Sequence, residues 1–559
     1  MLTSLLSSFD PVKNPIGFGA SDFIELTIAA LMVALVLAWR PFIEPFGRRL
    51  SLRAGWCALG LAILPIGLRL ALLAHHPVPS PDIYDEFGHL FVADTLRHFR
   101  LANPSHVLHQ FFETFFILQE PTYSSIYPIG QGIMLAIGRV ISGYPWAGVL
   151  LSTSAFAALC YWMLRAWTTP AWALAGGILA IIEFGPLNPW MNSYWGGTLA
   201  AAAGCLVFGA LRRLVKQLRT RDALALGSGL AIHLLVRPYE SLFLVAGALL
   251  YLIPSARRVA RAMPVVVLAV LPAIGITLLQ NKSVTGVWTT LPYQLSQYQY
   301  GVPASLTFQP NPVPHRELTP QQQLEYKSQL AFREGERDTI KTFLLRLEYR
   351  VRFYRFFFLA PLFLAIPAFC FASVREFRYA WVLLTLLVFA LGINFFPAFQ
   401  LHYLGATTCL FVLMSVVGLQ QIGQWSPEAA RLTLFLCLIH FVFWYGMHLF
   451  EDEDIALAMI QYETWDSINH RNPERRIFVN QKLAELPGRI LVFVRYSPRH
   501  IFQDEWVNNE AIIDSARIIW ARDLGPLENE KLRALYPDRT VLVLEPDIRP
   551  LPQLSPYTP

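Results

Sequence analysis

Apolar runs long enough to span, or nearly span, a bilayer recur through this chain, and they restrict its fold more than any motif does. They lie at about 22–39, 54–74, 146–166, 171–186, 194–211, 222–237, 239–254, 264–280, 352–373, 379–395, 401–420 and 430–449. A hydrocarbon core about 30 Å thick takes about 20 helical residues. Lipid offers the backbone no hydrogen bonds, so each run is expected to cross as a helix. Composition agrees: 54% of the 559 residues are hydrophobic and 15% charged, against about 25% charged in soluble domains. The expected fold is an α-helical polytopic membrane protein of about 11–13 transmembrane helices. The first run lacks a basic flank before it and a small-residue cleavage site after it, so no cleavable signal peptide is expected.

Residues 451–559 differ. They are polar, with short β-rich pieces at Arg489–Arg495, Arg517–Trp520 and Thr540–Leu544, and a helical pattern at Asn529–Tyr536. Strand, strand, helix, strand reads as a small α/β domain. Two domains are therefore expected: 1–450 in the membrane, with loops 75–127 and 281–351, and 451–559 outside it.

The net charge of +6 is clustered in short Arg/Lys runs, which suits membrane orientation and not nucleic-acid binding. The runs are Arg40–Arg53, Arg212–Arg221, Arg257–Arg261 and Arg375–Arg378. Placing all four in the cytoplasm puts loops 75–127 and 281–351 and the C-terminal domain outside. An odd number of crossings must then separate loop 75–127 from Arg212–Arg221, so one apolar segment between them fails to cross. Residues 128–142 are the candidate. They are short, contain Arg139, begin Tyr127-Pro-Ile-Gly130, and suit a re-entrant or interfacial helix. The same count leaves the N-terminus outside.

All six cysteines fall in apolar stretches and none has a CxxC partner, so they read as small buried hydrophobes and not as a metal or redox motif. No Gly-rich phosphate loop, HExxH or nucleophile elbow is present, which argues against an ATP-driven pump. Few charges fall in mid-span, which argues against an ion-coupled transporter.

The chemistry-bearing residues gather at the outer ends of the spans. Asp82, Asp85 and Glu86 open the first outer loop. They read either as a solvated helix start, where carboxylates favour the dipole, or as a general base or metal ligand facing a lipid-borne substrate. The Phe87, Leu90, Phe91, Leu96 pattern that follows suits a helix lying along the membrane surface. His106, His109, Glu113 and Glu120 continue the loop, with no spacing that demands a metal. Tyr194 and Trp195, before Gly196-Gly197, read either as interface-belt aromatics or as a sugar-stacking wall. Arg237-Pro-Tyr-Glu240 puts positive charge on the outer side, either to pair with Glu240 or to bind a lipid phosphate. His402-Tyr403 starts another span on that side. Lys282, Arg350, Arg352 and Arg355 complete an expected basic collar around an anionic head group. Tyr293, in the Tyr- and Gln-rich loop 281–351, suits a hydroxyl-rich ligand.

The acidic pair Asp85-Glu86, Pro121-Thr-Tyr123, Tyr194-Trp-Gly-Gly197, Arg237-Pro-Tyr-Glu240 and His402-Tyr403 together resemble the GT-C class of integral-membrane glycosyltransferases. Relatives in that class include the protein O-mannosyltransferases and the lipid A aminoarabinose transferases. The strings are most similar to those of a bacterial group of glycosyltransferase-family membrane proteins. The resemblance covers most of the chain.

It implies transfer of a sugar from a polyprenyl-phosphate donor to a glycan, lipid or protein acceptor, with inversion, at the outer face of a bacterial inner membrane. Asp85 would match the loop carboxylate that acts as base, with Glu86 its alternative or partner. Asp82, Glu113, Tyr194, Trp195, Arg237, Glu240, Tyr293, His402 and Tyr403 would contact donor or acceptor, with Arg237 and His402 on the donor phosphate. No cofactor is expected, and a divalent cation is possible but not required. The competing readings are a transporter or flippase of a lipid-linked sugar, and a scaffold that binds a partner through its C-terminal domain.

Overall fold

A computed structural model describes residues 45–331, 338–450, 474–501 and 503–558, with single residues between 27 and 34. The run at 22–39 lies mostly outside the described residues, as does 451–473. Among the described residues, six helices are long and apolar enough to cross a membrane: Ala54–Ala74, Trp146–Trp167, Gly197–Lys216, Pro238–Thr285, Leu401–Trp425 and Pro427–Leu449. Pro238–Thr285 contains two helices, Pro238–Leu252 and Met263–Thr285, joined by short turns that carry Arg257, Arg258 and Arg261. Pro170–Phe184, Thr220–Val236 and Phe377–Ile393 are helices of 15, 17 and 17 residues. At 1.5 Å per residue they are about 22–26 Å long, a little short of a bilayer core.

The expected span at 352–373 is not one straight helix. It breaks into Ile340–Phe357 and Ala360–Arg375, bent by 117°. The join passes through two 3₁₀ segments, Arg352–Phe357 and Ala360–Leu364. Pro361, which has no N–H to continue an α-helix, opens the second.

The helices run between two chemically distinct ends. At one end the basic segments meet. Arg213 donates to the Trp162 carbonyl (2.7 Å), Arg258 to the Val215 and Lys216 carbonyls (3.2 and 3.1 Å), and Arg165 to Ser51 (3.4 Å). At the other end the two long loops interlock. The Thr122 hydroxyl donates to the Val284 carbonyl (3.0 Å), Ser296 to Phe115 (2.7 Å) and Gln299 to Glu120 (2.9 Å).

Helix Ile129–Ser142 stays at the loop end throughout. Near its start, Gln131 donates to the Tyr194 carbonyl (3.0 Å); near its finish, Arg139 lies 4.0 Å from Asp94 of the first loop. Ile137, Val140 and Ile141 face outward. This is the geometry of an interfacial helix and not of a crossing one.

Small residues let the helices close up, as membrane bundles require. Gly204 is packed so tightly on the Ala406 carbonyl that a Cβ there would lie 1.8 Å from its oxygen.

Two strands of the first loop, β1 (Ile117–Leu118) and β2 (Ser124–Ser125), form a small antiparallel pair. The C-terminal sheet has β3 (Ile490–Val494), β4 (Ile518–Arg522), β5 (Thr540–Glu545) and β6 (Gln553–Pro556), in the order β4-β3-β5-β6. β3 is parallel to both neighbours, and β6 runs antiparallel on the edge. All five β3 residues are buried, as a continuous apolar run between two covered faces demands. One face of the sheet shares a core with the first loop: Leu491, Phe493 and Ile519 pack with Phe91, Phe111, Phe112 and Ile117.

Candidate functional site

Helix Tyr84–Arg97 begins just after Pro81, and Glu86 fixes its start. Glu86 Oε2 accepts the N–H groups of Asp82 (2.8 Å) and Ile83 (3.4 Å), as a carboxylate in a first helical turn can. Its Oε1 accepts the N–H of Tyr194 (3.0 Å). Both oxygens of this buried carboxylate therefore serve the backbone, and they tie the first loop to the turn that precedes helix Gly197–Lys216. Asp82 takes part through its N–H and is half-buried.

Asp85 has no such ties to the backbone. It accepts a hydrogen bond from the Tyr127 hydroxyl. Its charged neighbours are Arg237, of opposite sign, and Glu86. Burial pushes its carboxyl up to about 7, Arg237 acting against the shift and Glu86 with it.

Arg237 stands at the break between helices Thr220–Val236 and Pro238–Leu252, which Pro238 enforces. One guanidinium nitrogen donates to the Trp195 carbonyl at 3.4 Å, and the guanidinium lies 5.3 Å from the centre of the Tyr403 ring. Its Nε is buried and has no hydrogen-bond partner among the described residues. Glu240 is buried and faces Arg237. Tyr293 donates to the Ala304 carbonyl (3.1 Å) and faces Tyr403, Glu240 and Asp85. The Trp195 ring meets His402 edge-on at 5.1 Å, and His402 meets Tyr403 at 5.0 Å.

The structure thus brings Asp85, Arg237, Glu240, Tyr293 and Tyr403 into one group, walled by Trp195 and His402. Tyr194 supports the group from behind: its hydroxyl donates to the Pro79 carbonyl (2.8 Å) and its N–H to Glu86. Gly196, at φ +84°, leaves no room for a Cβ beside Gln131.

Glu113 lies elsewhere. It pairs with His109 (2.8 Å) and with Arg316 (3.1 Å), which also pairs with Glu120. Ligand atoms of His109, Glu113 and Glu120 lie within 4.8 Å of one another, the spacing of a possible cation site. Arg316 already supplies the positive charge there.

Of the expected basic collar, Arg237 joins this group. Arg350 is buried and donates to the Ile393, Phe396 and Pro397 carbonyls (3.0, 2.8 and 2.6 Å). Lys282 donates to the Gly286 carbonyl, and Arg352 pairs with Glu348 at an exposed position.

Tyr127 and Gly88 belong beside Asp85 and were not among the residues singled out from sequence. Gly88 three residues after Asp85, on the same helical face, was the available signal.

Several solved structures resemble this one, three of which follow. The Archaeoglobus fulgidus oligosaccharyltransferase, solved with zinc and sulfate, aligns over 88% of this chain and 67% of its own, at 10% identity and TM-score 0.47. ArnT from Cupriavidus metallidurans in the apo state aligns over 88% and 93%, at 9% identity and TM-score 0.48. The same protein bound to undecaprenyl phosphate aligns over 87% and 93%, at 10% identity and TM-score 0.46. No protein-family model matches the sequence, and no curated protein matches it.

Proposed function

We propose that this chain is a membrane glycosyltransferase that moves a sugar from a polyprenyl-phosphate donor to a glycan, lipid or protein acceptor, with inversion. It would do so at the outer face of a bacterial inner membrane. The observation that carries the reading is Asp85 facing Arg237: a carboxylate and a guanidinium within one aromatic-walled group, at the loop end of the bundle.

The division of labour follows from charge. The acceptor hydroxyl gives its proton to Asp85 as its oxygen forms a bond to the anomeric carbon. The bond from that carbon to the phosphate oxygen breaks, and its electron pair stays on the phosphate. Arg237 stabilises the charge that grows there. General-base help of this kind is typically worth about 10²–10⁴-fold. Glu86 positions the helix that carries Asp85, and Trp195, His402, Tyr293 and Tyr403 line the approach. The proposed chemistry needs no resident metal.

The test is transfer by the purified full chain, supplied with polyprenyl-phosphate sugars and a panel of acceptors. Asp85→Asn and Arg237→Gln should each abolish transfer while the proteins remain monodisperse. Full activity in both Asp85→Asn and Glu86→Gln would remove the proposed base. Movement of the lipid-linked sugar across vesicles without bond cleavage would instead identify a flippase.

A further inference from the structure

We infer that Tyr127 is a positioning residue for Asp85: it orients the carboxylate and leaves one of its oxygens open to take the acceptor's proton. This inference rests on the reading of Asp85 as the base.

The Tyr127 ring is held on several sides. At Gly88, a Cβ would stand 2.4 Å from two of its ring carbons, so only glycine leaves the slot it fills. His89 contacts the ring at a centroid distance of 4.6 Å, and Phe116 stacks at 6.3 Å. The backbone is fixed as well: the N–H donates to Ser125 Oγ (3.2 Å), and the carbonyl accepts from Gln280 Nε2 (2.9 Å), on helix Met263–Thr285.

With ring and backbone fixed, the hydroxyl reaches Asp85 Oδ1. Residues three apart share a helical face, so a gap at Gly88 is what lets a ring lie along the helix with its tip at Asp85. A hydroxyl donating to one carboxylate oxygen stops the group from rotating and favours its ionised form. Among the described residues this is the one hydrogen bond to the Asp85 side chain, so its second oxygen is left for substrate.

The other charged or titratable groups facing Asp85 are Arg237, Glu86, Tyr84, Tyr293 and Tyr403. His89 lies one turn along on the same helix, and burial depresses it to about 3, so it stays neutral at physiological pH. Tyr127 is therefore the neighbour whose removal changes a hydrogen bond to Asp85 without changing the local charge.

The experiment uses a hydrophobic carbodiimide, which modifies protonated carboxyls shielded from water. The full-length protein is labelled in nanodiscs across a range of pH, and Asp85 modification is read by peptide mass spectrometry. Wild type should lose labelling with a midpoint near 7. Tyr127→Phe, which keeps the ring, should move the midpoint up by about one pH unit, and Gly88→Ala should move it the same way. An unchanged midpoint in Tyr127→Phe overturns the inference.

Labelling needs neither donor nor acceptor, so the two readings can fail separately. In a transfer assay Tyr127→Phe should lower kcat by roughly tenfold or more with KM unchanged. Transfer with normal kcat in Tyr127→Phe counts against Tyr127 alone. A shifted midpoint in a protein that transfers no sugar counts against the glycosyltransferase reading, and with it against the role of Tyr127 in transfer.

Discussion

The Asp94 carboxylate, on the same helix as Asp85, accepts the backbone N–H of Ala511 at 2.8 Å. The proposed base and the C-terminal sheet are therefore parts of one packed unit. The Arg522 guanidinium adds a second tie, donating from Nε to the Glu113 carbonyl at 2.8 Å.

Asp94→Leu should leave the buried Ala511 N–H unpaired and destabilise this junction by about 1–3 kcal/mol. Thermal unfolding followed in detergent should show the loss, and transfer should fall with it. Removing 474–559 should abolish transfer, because the shared core around Phe91, Phe111 and Phe493 would be exposed. A truncated protein that transfers normally would show that the sheet is dispensable for the chemistry.

Asp85 should set opposite pH trends for activity and stability. As a base it must be ionised, so transfer should rise as pH passes through about 7. Its folded-state value lies above the ordinary 3.8, so the folded protein binds this proton more tightly than the unfolded chain. That contribution to stability is complete below about 4 and is lost as pH rises to about 7. Asp85→Asn should remove this slope: inactive throughout, its melting temperature should gain on wild type between these limits and hold the gain above them. Parallel melting curves across that range would contradict the assignment.

Gly204→Ala should be severely destabilising. The added Cβ meets backbone at Ala406, not a flexible side chain, so helix Gly197–Lys216 and the segment Leu401–Thr407 would have to part. His402 and Tyr403 lie on that segment. Size-exclusion profiles of a fluorescent fusion should show loss of monodisperse protein, whereas a wild-type profile would mean that the helices shift freely.

Arg316 holds the place a cation would take among His109, Glu113 and Glu120. Arg316→Ala should therefore bind a divalent cation more tightly than wild type does, as measured by calorimetry with Zn²⁺. Equal affinity in the two proteins would show that the ion binds elsewhere.

Much of the bundle was legible because lipid imposes a simple rule: a long apolar run makes a helix. The segment 128–142 stood out for the same reason, since a helix of 14 residues with Arg139 near its finish is short beside the longer apolar runs. Asp85, Arg237, Glu240, Tyr293 and Tyr403 stood out as polar groups beside apolar spans, and the fold brings them together. Glu113 pairs away from that group. Its partner Arg316 lies 203 residues further along, a pairing that no local pattern announces. The break at Pro361 was hidden by the continuity of the apolar run around it. Tyr127 was hidden by its setting, since one tyrosine in an aromatic-rich loop looks like any other until Gly88 is seen to make room for it.

The order in which these parts are strung has a consequence for biogenesis. The helix bearing Asp85 leaves the ribosome early, but Arg237, Tyr293 and Tyr403 follow much later, and Ala511 almost last. A nascent chain halted before Tyr403 carries the Asp85 carboxylate without all of its neighbours. The centre is thus complete only once Leu401–Thr407 has been made, and the sheet packed beside it follows later still.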